Sequence, residues 1–148
     1  MNLSALLEEV DVVATHGDLE IGISGLCYDS RRARPGDVFF ALPGSREDGG
    51  AYGRAARAAG CVAVVGVRGP ALEGGTGIEV LEPRRSLAQA ANRFYEHPSR
   101  GVRVAGVTGT NGKTTTTWLL ESIFRIAGWS AGIAGTTGWP PVASTMCG

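Results

Sequence analysis

The stretch VAGVTGTNGKTTTTWLL, Val104 to Leu120, decides the reading of this chain. An apolar run, a glycine-rich turn and a helix opening on Lys-Thr-Thr follow one another, the order in which α/β proteins curl backbone N–H groups around a phosphate. The P-loop pattern G-x-x-x-x-G-K-[ST] is met in its second half by Gly112-Lys113-Thr114, while Val107 stands where the first glycine belongs. Glycines fall instead at 106, 109 and 112. That spacing still puts residues without a Cβ where the backbone must wrap an anion, ahead of a helix N-terminus with partial positive charge. Gly109, Thr110, Asn111, Gly112, Lys113, Thr114 and Thr115 are therefore expected to hold ATP or GTP. Lys113 is the expected catalytic cation on the β- and γ-phosphates, and the Thr114 hydroxyl the expected ligand of Mg²⁺. The alternative is a glycine-rich link with a threonine-rich cap, of a kind open to any α/β protein. Order, spacing and residue type together favour the phosphate site, but such loops serve kinases, switches, motors and ligases alike.

Downstream of the loop, Leu120, Ile123, Phe124 and Ala127 form the expected buried stripe of a helix closed by Gly128. With VRVAGV before it and SAGIAG after it, the helix makes a βαβ unit, the start of a P-loop-type parallel-sheet domain. The final TTGWPPVASTMCG shows no period and reads as a loop. Upstream, His97-Pro98-Ser99-Arg100-Gly101 is the expected boundary, dividing the chain into domains at 1–100 and 101–148.

The first domain reads as a small α/β unit. LSALLEEV carries a helical stripe at Leu3, Leu6, Leu7 and Val10, with Asn2 or Ser4 as cap. Short strands are expected around Val12, over Leu19–Ile23 and over Leu26–Tyr28. Val38–Leu42 follows the Pro35-Gly36-Asp37 turn, and CVAVVGV and GIEVLE come later. Two helices lie between and after them: the alanine-rich one ending at Gly60, and RRSLAQAANRFYE with Leu87, Ala90, Ala91 and Phe94 on one face.

The bulk properties exclude several classes. Lys+Arg and Asp+Glu number 14 each, so no overall field draws the chain to nucleic acid or an anionic membrane. No apolar run approaches the roughly 18 residues of a membrane span. The N-terminus has Glu8, Glu9 and Asp11 where a signal peptide needs an apolar core, so a cytoplasmic location is expected. Cys27, Cys61 and Cys147 are widely spaced with no C-x-x-C pair, and read as packed thiols rather than metal ligands.

GVTGTNGKTTT resembles, nearly letter for letter, the ATP-binding signature of the muramyl peptide ligases of bacterial cell-wall synthesis. Asp29-Ser30-Arg31, the run Pro35 to Gly44, Asp48-Gly49, the alanine-rich helix with CVAVV, and FYEHPS resemble the same family's N-terminal domain and its link to the ATPase domain. The likeness covers about residues 20 to 138. Thr110 matches the members that add the third amino acid, meso-diaminopimelate or L-lysine, to UDP-N-acetylmuramoyl-L-alanyl-D-glutamate. Members adding D-alanyl-D-alanine tend to have serine there, and folylpolyglutamate synthetase, a cousin, lacks the DSR block.

The resemblance implies a UDP-substrate-binding first domain, with Tyr28 and Ser30 facing the nucleotide and Ser45, Arg46 and Glu47 closing over it. Physically, Ser30 and Ser45 suit a uracil or phosphate and Arg46 suits a diphosphate. Arg31, Arg32, Arg34 and Arg46 read equally well as solvated surface, and Asp29 as a turn residue bound to its own backbone. Gly50 stands where the family often has histidine.

The implied reaction phosphorylates a carboxylate with ATP and Mg²⁺, and an amine then attacks the acyl phosphate. A complete ligase needs a further acidic residue, a carbamylated lysine and an amino-acid-binding domain, none of which is recognised after Trp139. A monomeric fragment without ligase activity of its own is expected, with an aggregation-prone edge in residues 102–148. The competing readings are a non-catalytic module binding nucleotide or UDP-sugar, and an unrelated P-loop NTPase.

Overall fold

A computed structural model describes residues 1–43 and 49–135, with the side chains of 49–51 outside the description. The chain divides into two compact units, Met1–Val102 and Arg103–Gly148.

The first unit is a five-stranded mixed sheet with helices on both faces. Its elements are α1 (Leu3–Leu7), β1 (Val12–His16), β2 (Gly25–Cys27), β3 (Asp37–Phe40), α2 (Gly49–Ala58), β4 (Ala63–Gly66), β5 (Gly77–Val80) and α3 (Pro83–Phe94). Strand order is β1-β5-β4-β3-β2. β2 to β5 run parallel and β1 lies antiparallel to β5, with a register irregularity between Val12 and Ala14.

The two-residue repeat of a strand sorts β3 between two cores. Val38 and Phe40 face α1 and α3, joining Leu3, Leu6, Val65, Ile78, Val80 and Ala90. Phe39 and Ala41 face the other way, toward Ala56 of α2, Cys61, Val64, Ala71 and Leu72. Being buried on both faces, β3 and β4 have no polar alternation, which is why CVAVVGV reads as one apolar run.

Asn2 caps α1 by accepting from the Ala5 amide at 3.0 Å, so the cap is the first of the two candidates. On α2, Gly53 comes so close to the Pro70–Leu72 turn that a Cβ there would collide with the backbone of Ala71, 2.9 Å from its Cα. α3 starts on Pro83 and ends at Phe94. Glu96 and His97 then take left-handed backbone conformations, with φ of 56° and 55°.

Leu19–Ile23 differs from expectation. It forms no strand of the sheet, but follows the N-terminus: the Leu3 amide donates to Ile21 O at 2.9 Å, Ser4 to Leu19 O at 2.8 Å, and Ile23 to Met1 O at 3.0 Å. Three of its backbone groups are thus paired with Met1, Leu3 and Ser4 rather than with a strand of the sheet.

The second unit has one regular element among its described residues, α4 (Lys113–Ile126). Residues 104–107 and 130–134 carry no ladder, because a strand is defined by a hydrogen-bonded neighbour and none is present among the described residues. The expected stripe is also rotated. Thr117, Leu120, Glu121 and Phe124 are the less exposed positions, while Ile123 is 58% exposed. Burial of Glu121 is compatible with this rotation because Arg125, one turn on, donates to its carboxylate at 2.7 Å. Phe124 stacks on Trp129 with centroids 5.6 Å apart, and Arg103 lies 5.3 Å from the Trp129 ring.

Candidate functional site: a glycine loop and a strand edge

Two sets of expected residues are formed by different units. In the second unit the loop turns into α4 at Gly112, whose left-handed φ of 73° favours glycine. The first intrahelical bond is donated by Thr116 to Gly112 O at 2.9 Å. The amides of Lys113, Thr114 and Thr115 therefore stand ahead of the helix without intrahelical partners, at its positive end, on exposed residues. No side chain caps them.

Lys113 folds back over the loop, its ammonium donating to Gly109 O and, at 3.3 Å, to Thr110 O. The cation is thus held above the same turn that exposes the amides. Lys113 is also the only lysine in the 148 residues, the other 13 basic residues being arginine. Sequence reading passed over that signal. Thr117 Oγ1 donates to Thr114 O at 2.8 Å, which ties the first turn of α4. Three free amides, an ammonium and the Thr114 hydroxyl form a donor set that fits a polyphosphate. For Mg²⁺ the fit is partial: among the described residues no cluster of three or more His, Cys, Asp or Glu exists, so the ion would depend on the Thr114 hydroxyl and phosphate oxygens.

In the first unit, parallel β2, β3 and β4 bring their C-terminal ends to one edge of the sheet, where open α/β sheets bind ligands. β2 leads there into Tyr28, 64% exposed, and Ser30, half-buried; β3 leads into Ala41–Pro43, and β4 into Val67 and Arg68. Ser45, Arg46 and Glu47, expected in the loop after β3, lie outside the described residues, as does Cys147.

The turn carrying Ser30 is closely tied. Asp29 caps a 3-10 turn over Ser30–Arg32, accepting from the Arg31 amide at 3.1 Å. Its two carboxylate oxygens also accept from Arg31 Nε at 2.9 Å and from the Arg31 terminal nitrogen at 2.8 Å. The Arg31 guanidinium, followed by its amide, holds the Asp29 carboxyl down to about 2. The Cys27 thiol donates to Asp29 O at 3.0 Å. The turn-residue reading of Asp29 describes these bonds. Arg31, read as possible surface charge, is 86% exposed yet engaged with both oxygens.

Two shallow grooves lie beside other residues. One of about 350 Å³ is lined by Arg54, Arg57, Pro70, Glu73 and Gly74, and one of about 270 Å³ includes His16, Arg68, Glu73 and Glu79. Neither includes Tyr28 or Ser30. Arg57 is occupied as a staple, donating to the carbonyls of Leu72, Glu73 and Thr76, and burial lowers its pKa. Burial also pushes the Cys61 thiol up to about 11. No helix among the described residues is long and apolar enough to cross a membrane.

The class these features define is an α/β protein with a mixed, largely parallel sheet followed by a glycine loop at a helix N-terminus. Residues 22–95 match the Mur ligase family, catalytic domain, and residues 107–146 the Mur ligase middle domain; the chain belongs to the Mur ligase family. It is 45% identical over 139 residues to the UDP-N-acetylmuramoyl-L-alanyl-D-glutamate–2,6-diaminopimelate ligase of Geobacter sulfurreducens, covering 92% of this chain and 27% of that one. It is 36% identical over 136 residues to the ligase of the same name from Clostridioides difficile, covering 92% and 28%.

Among solved structures, the UDP-N-acetylmuramoylalanyl-D-glutamyl-2,6-diaminopimelate–D-alanyl-D-alanyl ligase of Acinetobacter baumannii matches with a TM-score of 0.66 and 27% identity, over 84% of this chain and 28% of that one. The MurF ligase of Thermotoga maritima in complex with ADP matches with a TM-score of 0.55 and 27% identity, over 75% and 25%. The chain spans about a quarter of the length of the curated relatives it matches.

Proposed function

We propose that this chain forms the substrate-entry and ATP-binding part of a ligase that adds a diamino acid, 2,6-diaminopimelate, to UDP-N-acetylmuramoyl-L-alanyl-D-glutamate. The observation that carries the reading is its 36–45% identity, over 92% of its length, to relatives bearing that activity in their names. The solved relative named for D-alanyl-D-alanine addition is less similar in sequence, at 27%.

In this reading residues 1–100 receive the uridine diphosphate end of the substrate, through Tyr28 and Ser30 at the strand edge and Ser45, Arg46 and Glu47 after β3. Residues 101–148 open the ATP-binding domain, where Gly109 to Thr115 hold the phosphates and Thr114 meets Mg²⁺. ATP supplies the phosphoryl group that activates the substrate carboxylate. The chain's own residues orient the triphosphate: the amides of 113–115 take its oxygens, and Lys113 exchanges its loop carbonyls for the transferring phosphoryl group. A monomeric chain in the cytoplasm, without ligase activity of its own and with no nucleic acid or membrane partner, completes the proposal.

The sole lysine gives a direct test. Acetylation of the 148-residue chain, mapped by mass spectrometry, reports on one side-chain amine. Mg-ATP is expected to protect Lys113 from acetylation, and UDP to leave it reactive. Equal labelling with and without saturating Mg-ATP would overturn the loop assignment. Lys113→Ala is expected to weaken Mg-ATP binding by about 10- to 100-fold, the range for losing a charged hydrogen bond.

A further inference from the structure

Ser30 has an unusual combination of features at the strand edge. It is half-buried, and its hydroxyl makes no hydrogen bond among the described residues. Yet the backbone on either side of it is fixed from four directions. The Arg32 amide donates to Asp29 O at 2.9 Å, and the Cys27 thiol donates to the same carbonyl at 3.0 Å. The Arg31 amide and guanidinium both close onto the Asp29 carboxylate. The result is a small ring, Asp29 to Arg31 and back, with Ser30 at its middle corner.

An exposed ion pair contributes little to global stability, because solvent screens it and ordering two side chains costs entropy. The Asp29–Arg31 pair is of this kind, with the Arg31 side chain 86% exposed. Its effect is therefore local. A planar guanidinium fork on both carboxylate oxygens fixes direction as well as distance, which a single-point cation cannot do.

We infer that Asp29 and Arg31 are positioning residues, which lock the turn that presents the Ser30 hydroxyl to the uridine diphosphate end of the substrate. The inference rests on the proposed function, since it takes Ser30 as a substrate contact. It differs from the simpler idea that Arg31 binds the diphosphate itself. In that case Asp29 would compete with the ligand for Arg31, and removing its charge would tighten binding. In a positioning role, removing it loosens the turn and weakens binding.

The experiment is titration of the 148-residue chain with UDP by calorimetry, with circular dichroism and thermal melting confirming the fold of each variant. Ser30→Ala, Asp29→Asn, Arg31→Lys and the double variant Asp29→Asn/Arg31→Lys are compared. Each single change is expected to weaken UDP binding about 10-fold, and the double change by about the same factor, where independent contacts would multiply to about 100-fold. Arg31→Lys keeps the charge and loses the fork, so its weakening isolates geometry from attraction.

Unchanged or tighter binding by Asp29→Asn, with Ser30→Ala still weakened, overturns the positioning role and leaves the proposed function standing. Multiplicative losses in the double variant overturn it equally. Absence of UDP binding by the unaltered chain, or full binding by Ser30→Ala, removes the substrate assignment on which both depend.

Discussion

The two units spend their apolar residues differently. In the first, both faces of the sheet are covered, and Leu3, Leu6, Val38, Phe40, Val65 and Ile78 are fully buried. In the second, one helix carries Trp118, Leu119, Ile123 and Ile126 at 46%, 60%, 58% and 88% exposure. The first unit is built around packing, whereas the second is distinguished by a backbone turn. The difference teaches that the glycine loop before α4 owes its turn to local conformation, the left-handed Gly112 and the helix end.

The sharpest way to break that contrast is to cut one apolar side chain from each unit. Phe40→Ala is expected to cost about 3–5 kcal/mol in urea unfolding, the range for a buried aromatic, whereas Ile123→Ala should stay within about 0.5 kcal/mol. Comparable losses would show that α4 is packed as tightly as the sheet. Gly53→Ala should come next, at about 1–3 kcal/mol, because its new Cβ would force α2 away from Ala71. An unchanged denaturation midpoint would mean that this contact yields easily.

Two titrations give smaller effects. The folded thiol of Cys61 ionises at about 11 against an ordinary value of 9.0, so folding favours its protonated form. Its contribution is full below pH 9 and is lost as pH rises toward 11, a decline that Cys61→Ala should remove from the pH dependence of unfolding. Asp29 has the opposite sign. Its depressed carboxyl favours folding above its ordinary 3.8, and that contribution is lost as pH falls toward about 2. Carbon NMR of the Asp29 carboxyl should follow that transition, and Arg31→Ala should return its midpoint toward 3.8.

Legibility in the sequence followed the range of the interactions. The α1 stripe, the α2 and α3 helices, and the strands expected over Val38–Leu42 and CVAVVGV, found as Asp37–Phe40 and Ala63–Gly66, were readable because each is specified by its own period, apolar run or cap. Leu19–Ile23 was not: its apolar alternation suits a strand, and only its bonds to residues 1–4 show where its backbone groups go. Glu121 misled the stripe on α4 because its partner Arg125 makes a buried carboxylate acceptable, and a hydrophobic pattern does not count ion pairs. At the candidate site, the glycine spacing marked the loop. The turn role of Asp29 was readable, but its pairing with the Arg31 guanidinium escaped because an arginine in DSR looks like surface until its geometry is known.

One pairing has a kinetic meaning. From β2 to β5 every strand lies beside its sequence neighbour, so each pairing can form with modest loop closure. β1 is the exception, with Val12 set against Val80 at the far end of the sheet. Most of the unit must come between them before that register forms, and loop-closure entropy makes such a contact a late event in folding. Residues 12–16 thus act as a clasp: a chain lacking them would leave β5 with an open edge, and a growing chain gains that protection only once residue 80 has been made.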